Sequence, residues 1–196
     1  ENERFIFDVF SQNPKRILSV FYDENYPIFN TPMYQKIPCF AVKSALFKSL
    51  HHVKTSCGMI AIAQYPSWDS PQNPTKVLVL DGIQNPANLG AIFRSAAAFQ
   101  LDHIYLLPST TDPFHPESVR AMAGQYYTIS YSEQHWATID DTLKDFHWIQ
   151  LDSNSKTVLS DISISRPWVL FIGSETGFKT QLSKTIEKIR IPIHTQ

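Results

Sequence analysis

Two short polar stretches hold the side chains best suited to chemistry. In the first, KVLVLDGIQNPANLGAIFR (76–94), an apolar run is followed by Asp81, Asn85, Asn88 and Arg94. In the second, FIGSETGF (171–178), the carboxylate of Glu175 sits between Gly173 and Gly177. A guanidinium holds its proton to a pH above about 12. Arg94 is therefore a poor base but a good grip for a phosphate, through two parallel N–H bonds, and a good stabiliser of charge on an oxygen. Glycines flanking Glu175 let backbone N–H and C=O groups approach a ligand closely.

The elements that must position these groups are readable around them. Val77, Leu78, Val79 and Leu80 form a continuous apolar run, which suits a strand buried on both faces of a parallel sheet. Asp81-Gly82 and Asn85-Pro86 then punctuate a loop. Leu89, Ile92, Phe93, Ala96 and Ala97 fall at i, i+3, i+4, i+7 and i+8, one apolar stripe of a helix. Asn88 is expected to cap that helix, Gly90 to allow close backbone approach at its first turn, and Arg94 to lie just off the buried stripe. A strand, a polar loop and a helix start make a binding lip at the carboxyl end of a parallel sheet.

The whole chain supports such a fold. Its 196 residues suffice for one large domain or two small ones, and 43% hydrophobic with 13% aromatic residues can build a core. The formal net charge is −1, so contact with a nucleic acid has to come from a local patch. No apolar run approaches the roughly 20 residues of a membrane helix. The start, ENERFIFDVF, lacks a signal peptide's basic-then-apolar order and an initiator methionine, as a trimmed N-terminus would. Cys39 and Cys57 have no metal-ligand spacing and read as free thiols. A G-x-G-x-x-G fingerprint is missing after Leu80, and neither G-x-S-x-G nor a P-loop is present. Asp140-Asp141 and Asp112 read as surface acids, and no metal is expected.

Residues 1–64 read as a small α/β module, with a helix over 4–11, strands over 17–21, 37–42 and 58–63, and a helix over 45–50 begun by Ser44. Residues 65–75 hold Pro66, Pro71 and Pro74 and read as a linker. Residues 76–196 form a second domain in which strands and helices alternate, arguing for an open, mostly parallel α/β sheet. Its expected strands lie at 77–80, 103–107, 126–131, 148–151, 167–172 and 189–193. Its helices are expected over 117–123, 135–146 and 179–188, besides the one at the first polar stretch.

The first stretch resembles the first motif of the SpoU (TrmH-type) branch of the SPOUT RNA methyltransferases, D-G-x-x-(D/N)-P-x-N-L-G-A-I-x-R-(S/T)-A after a hydrophobic strand. About a dozen fixed positions match in order, from Asp81 and Gly82 through Asn85, Pro86, Asn88, Leu89, Gly90, Ala91, Ile92 and Arg94 to Ser95 and Ala96. G-S-E-T-G at 173–177 is similar to the second motif. The stretch I-P-C-F-A-V with T-S-C-G-M-I-A-I-A is similar to the end of the substrate-binding domain that precedes many SpoU catalytic domains. A third motif begins at Ile189-Arg190-Ile191-Pro192-Ile193. In the family a Ser-Leu-Asn-Val-Ser segment follows there and threads a loop into a deep trefoil knot; the sequence ends at Gln196, before that segment.

The resemblance implies a SPOUT-type parallel sheet preceded by a small RNA substrate-binding domain. It implies S-adenosylmethionine-dependent methyl transfer to a ribose 2′-hydroxyl of RNA, ribosomal RNA favoured over transfer RNA, by a cytoplasmic homodimer. The catalytic roles fall on Arg94, Asn88 and Glu175. The cofactor falls on Gly173, Ile172, Leu151, Ile191 and Ile193, where the loops after three strands converge. Two other classes stay open at this level: an RNA-binding relative that has lost catalysis, and an unrelated nucleotide-binding α/β enzyme.

Overall fold

The computed structural model describes residues 3–12, 14–27, 36–50, 57–68, 71–164, 167–175, 177–180 and 186–192. The chain divides into two compact units, Glu1–Ser67 and Trp68–Gln196.

In the first unit, helix α1 (Glu3–Gln12) precedes strand β1 (Ile17–Asp23), and β2 (Cys39–Val42), helix α2 (Ser44–Leu50) and β3 (Met59–Ala63) follow. β1 lies centrally, parallel to β2 and antiparallel to β3, with an irregularity between Ile17 and Ser19. Side chains alternate across a sheet, so Val20 and Met59 turn to one side. Both are buried, as are Ile6 and Val9 of α1 and Phe47 of α2. On the other side Phe21 stacks on Phe40 with ring centroids 5.3 Å apart. Cys39 and Cys57 are half-buried thiols outside any disulfide, and burial pushes the Cys39 thiol pKa up.

In the second unit the elements run β4 (Lys76–Asp81), α3 (Pro86–Ala98), β5 (His103–Leu106), α4 (Pro116–Met122), β6 (Tyr131–Glu133), α5 (Trp136–Thr142), β7 (His147–Leu151), β8 (Trp168–Gly173) and β9 (Glu187–Ile189). Among the described residues six strands form one all-parallel sheet in the order β6-β5-β4-β8-β7-β9. This is the expected α/β architecture. Both faces of β4 are buried, as its unbroken apolar run requires. Leu78, Leu80, Ile104 and Leu106 pack with Leu89, Phe93 and Ala96 of α3 and Met122 of α4. Val77, Val79, Val169 and Phe171 pack on the opposite face with Ile139, Leu143 and Trp148. From β4 the chain steps outward to β5 and β6, then crosses to build β7, and β8 fills the gap beside β4. The strand order thus reverses between β4 and β8, and the crevice at the carboxyl ends there is where such sheets bind ligands.

Several elements differ from the sequence expectation. α3 starts at Pro86, and its N-cap is Asn85 rather than Asn88. The Asn85 carboxamide oxygen accepts from the backbone N–H of Ala87 at 2.9 Å and of Asn88 at 3.2 Å. Proline suits the first helical position, because its φ is preset and it has no N–H to satisfy. The strand expected over 126–131 is a 3₁₀ turn at Gln125–Tyr127, and β6 starts only at Tyr131. Tyr126 is buried there, its ring 4.9 Å from Phe114, so packing rather than strand pairing sets its place. Burial and the Tyr131 hydroxyl raise the pKa of Tyr126. The helix expected over 135–146 ends at Thr142, with Leu143 as C-cap; the Trp148 indole donates to the Leu143 carbonyl at 3.0 Å. The helix expected over 179–188 is contradicted at its end, where Glu187 and Lys188 belong to β9. Their charges read as a helix surface, but they lie on the outermost strand of the sheet. The Glu187 carboxylate meets His147 Nε2 at 2.5 Å and Ile189 points inward, 1% exposed. Residues 181–185 lie outside the described residues.

At the other edge, His103 holds β6 to β5. Its ring is buried, with Nδ1 2.6 Å from the Ser130 hydroxyl and Nε2 2.9 Å from the Ser132 hydroxyl. Burial lowers its pKa from 6.5 to about 4. The folded state therefore takes up a proton less readily than the unfolded chain. The resulting stability is complete above pH 6.5 and falls as the pH drops from 6.5 towards 4. The loss by pH 4 is expected to reach about 3 kcal/mol. Urea unfolding of wild type and of His103→Gln across this range should show the step in the first and its absence in the second.

Among the described residues, no helix is long and apolar enough to cross a membrane.

Candidate active site

The site begins with α3. Because Asn85 caps the helix, the Asn88 side chain is released from capping and turns outward at the third helical position. There its Nδ2 donates to Glu175 Oε1 at 3.2 Å, joining residues 87 positions apart in sequence. Two of the three residues expected to carry catalysis thus meet at the carboxyl ends of β4 and β8.

Glu175 is held by a tight turn after β8. The Ser174 N–H donates to the Gly177 carbonyl at 3.0 Å, and the Gly177 N–H returns a bond to the Ser174 carbonyl at 2.9 Å. The Ser174 hydroxyl adds a third bond to the Gly177 carbonyl at 2.7 Å. Gly177 has φ +100, a conformation that side chains disfavour. Phe178 then folds back and stacks on Phe171, with centroids 4.8 Å apart. Gly173 leaves it room, since a Cβ there would sit 2.8 Å from the Phe178 ring.

Asn88 and Glu175 stand at the polar mouth of a cleft of about 500 Å³. Asn85 and Ser174 share that mouth, and Ile83, Ile92, Ile172 and Gly173 supply much of the rest. A polar mouth on an apolar floor, in this size range, is the usual form of a small-molecule site. Arg94 lies on the exposed side of α3, six residues and about 9 Å along the axis from Asn88. The lining residues of α3 stop at Ile92, so Arg94 stands beside the cleft rather than in its wall.

Of the residues expected at the cofactor, Ile172 and Gly173 line this cleft. Leu151 ends β7 and pairs with Ile189 of β9. Ile191 follows β9 and is 54% exposed. Ile193 lies outside the described residues. The loop after β7 is laced to the end of β9: Asp152 N–H donates to the Ile189 carbonyl at 2.8 Å, Arg190 N–H to the Thr157 carbonyl at 2.9 Å, and Leu159 N–H to the Arg190 carbonyl at 3.1 Å. Leu151, Ile172 and Ile191 thus belong to the ends of three neighbouring strands, while the described cleft takes in only the β8 end.

Sequence reasoning missed the cap at Asn85 and the turn-closing hydroxyl of Ser174. Pro86 was the available signal for the first, since proline prefers the first helical position. The second carries no local signal, because a serine beside a glutamate is common on any loop.

Residues 75–196 match the SpoU rRNA methylase family model. Over 179 residues the chain is 27% identical to an uncharacterised tRNA/rRNA methyltransferase of Synechocystis sp., covering 87% of this chain and 65% of the relative. It is 25% identical over 166 residues to the 23S rRNA (guanosine(2553)-2′-O)-methyltransferase RlmP of Bacillus subtilis, covering 82% of this chain and 66% of the relative. The chain thus spans just under two thirds of the length of these relatives. The crystal structure of the SpoU methyltransferase AviRb from Streptomyces viridochromogenes, in complex with the cofactor AdoMet, superposes with a TM-score of 0.79 at 17% identity, covering 98% of this chain and 79% of that one. An rRNA methyltransferase from Sinorhizobium meliloti gives 0.78 at 20% identity, covering 99% and 78%. At such identities the likeness speaks to the fold alone. The family match covers more than half of the sequence and includes both polar stretches: the chain belongs to the SpoU rRNA methylase family.

Proposed function

We propose that this protein transfers a methyl group from S-adenosylmethionine to a ribose 2′-hydroxyl of RNA, with ribosomal RNA as the first candidate substrate. The observation that carries the reading is the Asn88–Glu175 hydrogen bond at the mouth of the cleft, which joins the two family motifs in space. The activity for which the Bacillus relative is named and the cofactor of the AviRb complex support it.

The described residues fit the cofactor. The carboxyl ends of β7 and β8 and the segment after β9 offer half-buried Leu151 and Ile172 and exposed Ile191, with backbone groups near Gly173. Apolar side chains beside reachable backbone suit a nucleoside. Leu151, Ile172, Gly173, Ile191 and Ile193 would hold it. When bound, the cofactor supplies a sulfonium methyl carbon open to displacement.

The chain's own residues then have three tasks. Arg94 grips a substrate phosphate and stabilises negative charge on the attacking hydroxyl oxygen, as a fixed cation can. Asn88 donates to Glu175 Oε1 and orients the carboxylate, leaving Oε2 to accept the hydroxyl proton. The cleft sets the hydroxyl in line with the methyl group, which is where most of the acceleration of a two-substrate displacement arises. We further propose that residues 1–64 bind the RNA, that the second unit has the family's trefoil-knot topology, and that the protein acts as a homodimer.

The test has two parts. Calorimetry should show one molecule of S-adenosylhomocysteine, the product cofactor, binding per chain of the full-length protein. Incubation with methyl-labelled cofactor and RNA should place label in alkali-resistant dinucleotides, because a 2′-O-methyl group blocks cleavage at the next phosphate. Label in alkali-labile nucleotides would place the methyl group on a base and overturn the ribose assignment. Failure of the full-length protein to bind the product cofactor would overturn the whole reading.

A further inference from the structure

The last residue of β4 is a carboxylate buried completely, with no cation beside it among the described ion pairs. Asp81 Oδ2 instead accepts two consecutive backbone N–H groups, of Lys179 and Thr180, each at 2.7 Å. Its Oδ1 accepts the Ser109 hydroxyl at 3.1 Å. Burying an ionised carboxylate is costly, and the cost is offset when its oxygens take several short N–H and O–H bonds. The donors come from two distant parts of the chain. Ser109 belongs to the loop after β5, and Lys179 and Thr180 belong to the segment leaving the Glu175 turn.

That segment is short. Only Phe178 separates Gly177, which closes the turn, from the two N–H groups that Asp81 holds. Phe178 is itself clamped between Phe171 and the bare backbone of Gly173. The turn is thus tied on one side to β8, of which it is the continuation, and on the other to β4 through Asp81. Glu175 is exposed and has the 3.2 Å bond from Asn88 as its described polar contact. Its position depends on the turn beneath it.

We infer that Asp81 is a positioning residue for the Asn88–Glu175 pair: its carboxylate ties down the segment after the turn and so sets where Glu175 meets Asn88. This inference rests on the methyl-transfer reading for its kinetic consequence, but its structural consequence stands without it. An asparagine should serve nearly as well. One amide oxygen can accept both N–H groups as Oδ2 does, and the amide nitrogen can donate to the Ser109 oxygen once that hydroxyl rotates. An alanine leaves both N–H groups without that acceptor.

The experiment compares wild type, Asp81→Ala and Asp81→Asn in the full-length protein by amide hydrogen exchange and by steady-state kinetics. In Asp81→Ala, exchange at Gly177, Lys179 and Thr180 should rise at least about tenfold, with Val79 and Leu170 unchanged. Methyl transfer should lose about 100-fold in kcat while KM for cofactor and RNA stays within about threefold, as expected when a catalytic group is misplaced rather than a binding surface lost. Asp81→Asn should stay within about threefold of wild type in every measurement. Unchanged protection at Gly177 in Asp81→Ala, equal losses in kcat and KM, or an Asp81→Asn as impaired as Asp81→Ala would each overturn the inference. If alanine prevents folding, the asparagine variant alone decides: a tenfold or greater loss in it overturns the geometric account. A wild type that shows the exchange pattern but no methyl transfer would instead sink the activity and leave the tie standing.

Discussion

Arg94→Ala should abolish methyl transfer while leaving the affinity for S-adenosylhomocysteine within about threefold of wild type. The expected loss in kcat is on the order of 100- to 1,000-fold, the usual cost of removing one fixed donor aimed at developing negative charge. The argument is geometric. Arg94 is exposed on the side of α3, beyond the last lining residue of that helix, so its removal takes nothing from the cleft wall. It is no part of the buried stripe of Leu89, Phe93 and Ala96, so the fold should not notice. Arg94→Lys should recover little, because a point charge cannot reproduce a two-pronged grip on a phosphate. Single-turnover assays with calorimetry on the same preparation check both halves. An alanine variant with wild-type turnover would remove Arg94 from the mechanism.

Gly90→Ala should cost stability, in the direction opposite to helix propensity. Alanine in place of glycine inside a helix ordinarily stabilises by about 1 kcal/mol. Here a Cβ would sit 2.3 Å from the Ser118 carbonyl oxygen and 2.6 Å from the Ala121 Cβ. Both belong to α4, and the nearer is backbone, which cannot rotate out of the way. α3 and α4 must separate, and overpacking of this kind costs about 3 kcal/mol. Chemical denaturation should therefore show a clear loss, and the separation should also shift Asn88, in the first turn of the same helix. A variant as stable as wild type would mean that the two helices have slack the close approach does not suggest.

The sequence conveyed the parts of this protein that depend on local pattern. The apolar run at 77–80 announced a strand buried on both faces, and the stripe from Leu89 to Ala97 announced α3 and its buried side, because burial repeats with the geometry of the element. Glu175 and Asn88 could be picked out, but that they touch could not be derived from the spacing within either stretch. What stayed illegible was decided at long range. Glu187 and Lys188 look like a helix surface until β7 claims them as an edge strand. Tyr126 looks like a strand residue until the rings of Phe114 and Tyr131 take it into the core. Asn88 looked like a cap because a polar residue ahead of an apolar stripe usually is one; Asn85 and Pro86 start the helix earlier and leave Asn88 for Glu175. Asp81 was visible as a motif position, yet its burial and its hold on Lys179 and Thr180 depend on a strand alignment nearly a hundred residues long.

The placement of β8 also governs how the protein comes into being. β4 is the first strand of its sheet to be synthesised, and β8 is the neighbour it waits for, with β5, β6 and β7 made in between. Until residue 173 is available, the β4 edge that pairs with β8 carries unmatched backbone groups beside strongly apolar side chains. Distant pairing of this kind slows folding and prolongs the lifetime of sticky intermediates. A nascent chain truncated before Trp168 should therefore be a client for chaperones, and the Asn88–Glu175 contact has to wait until β8 and the turn after it have been made.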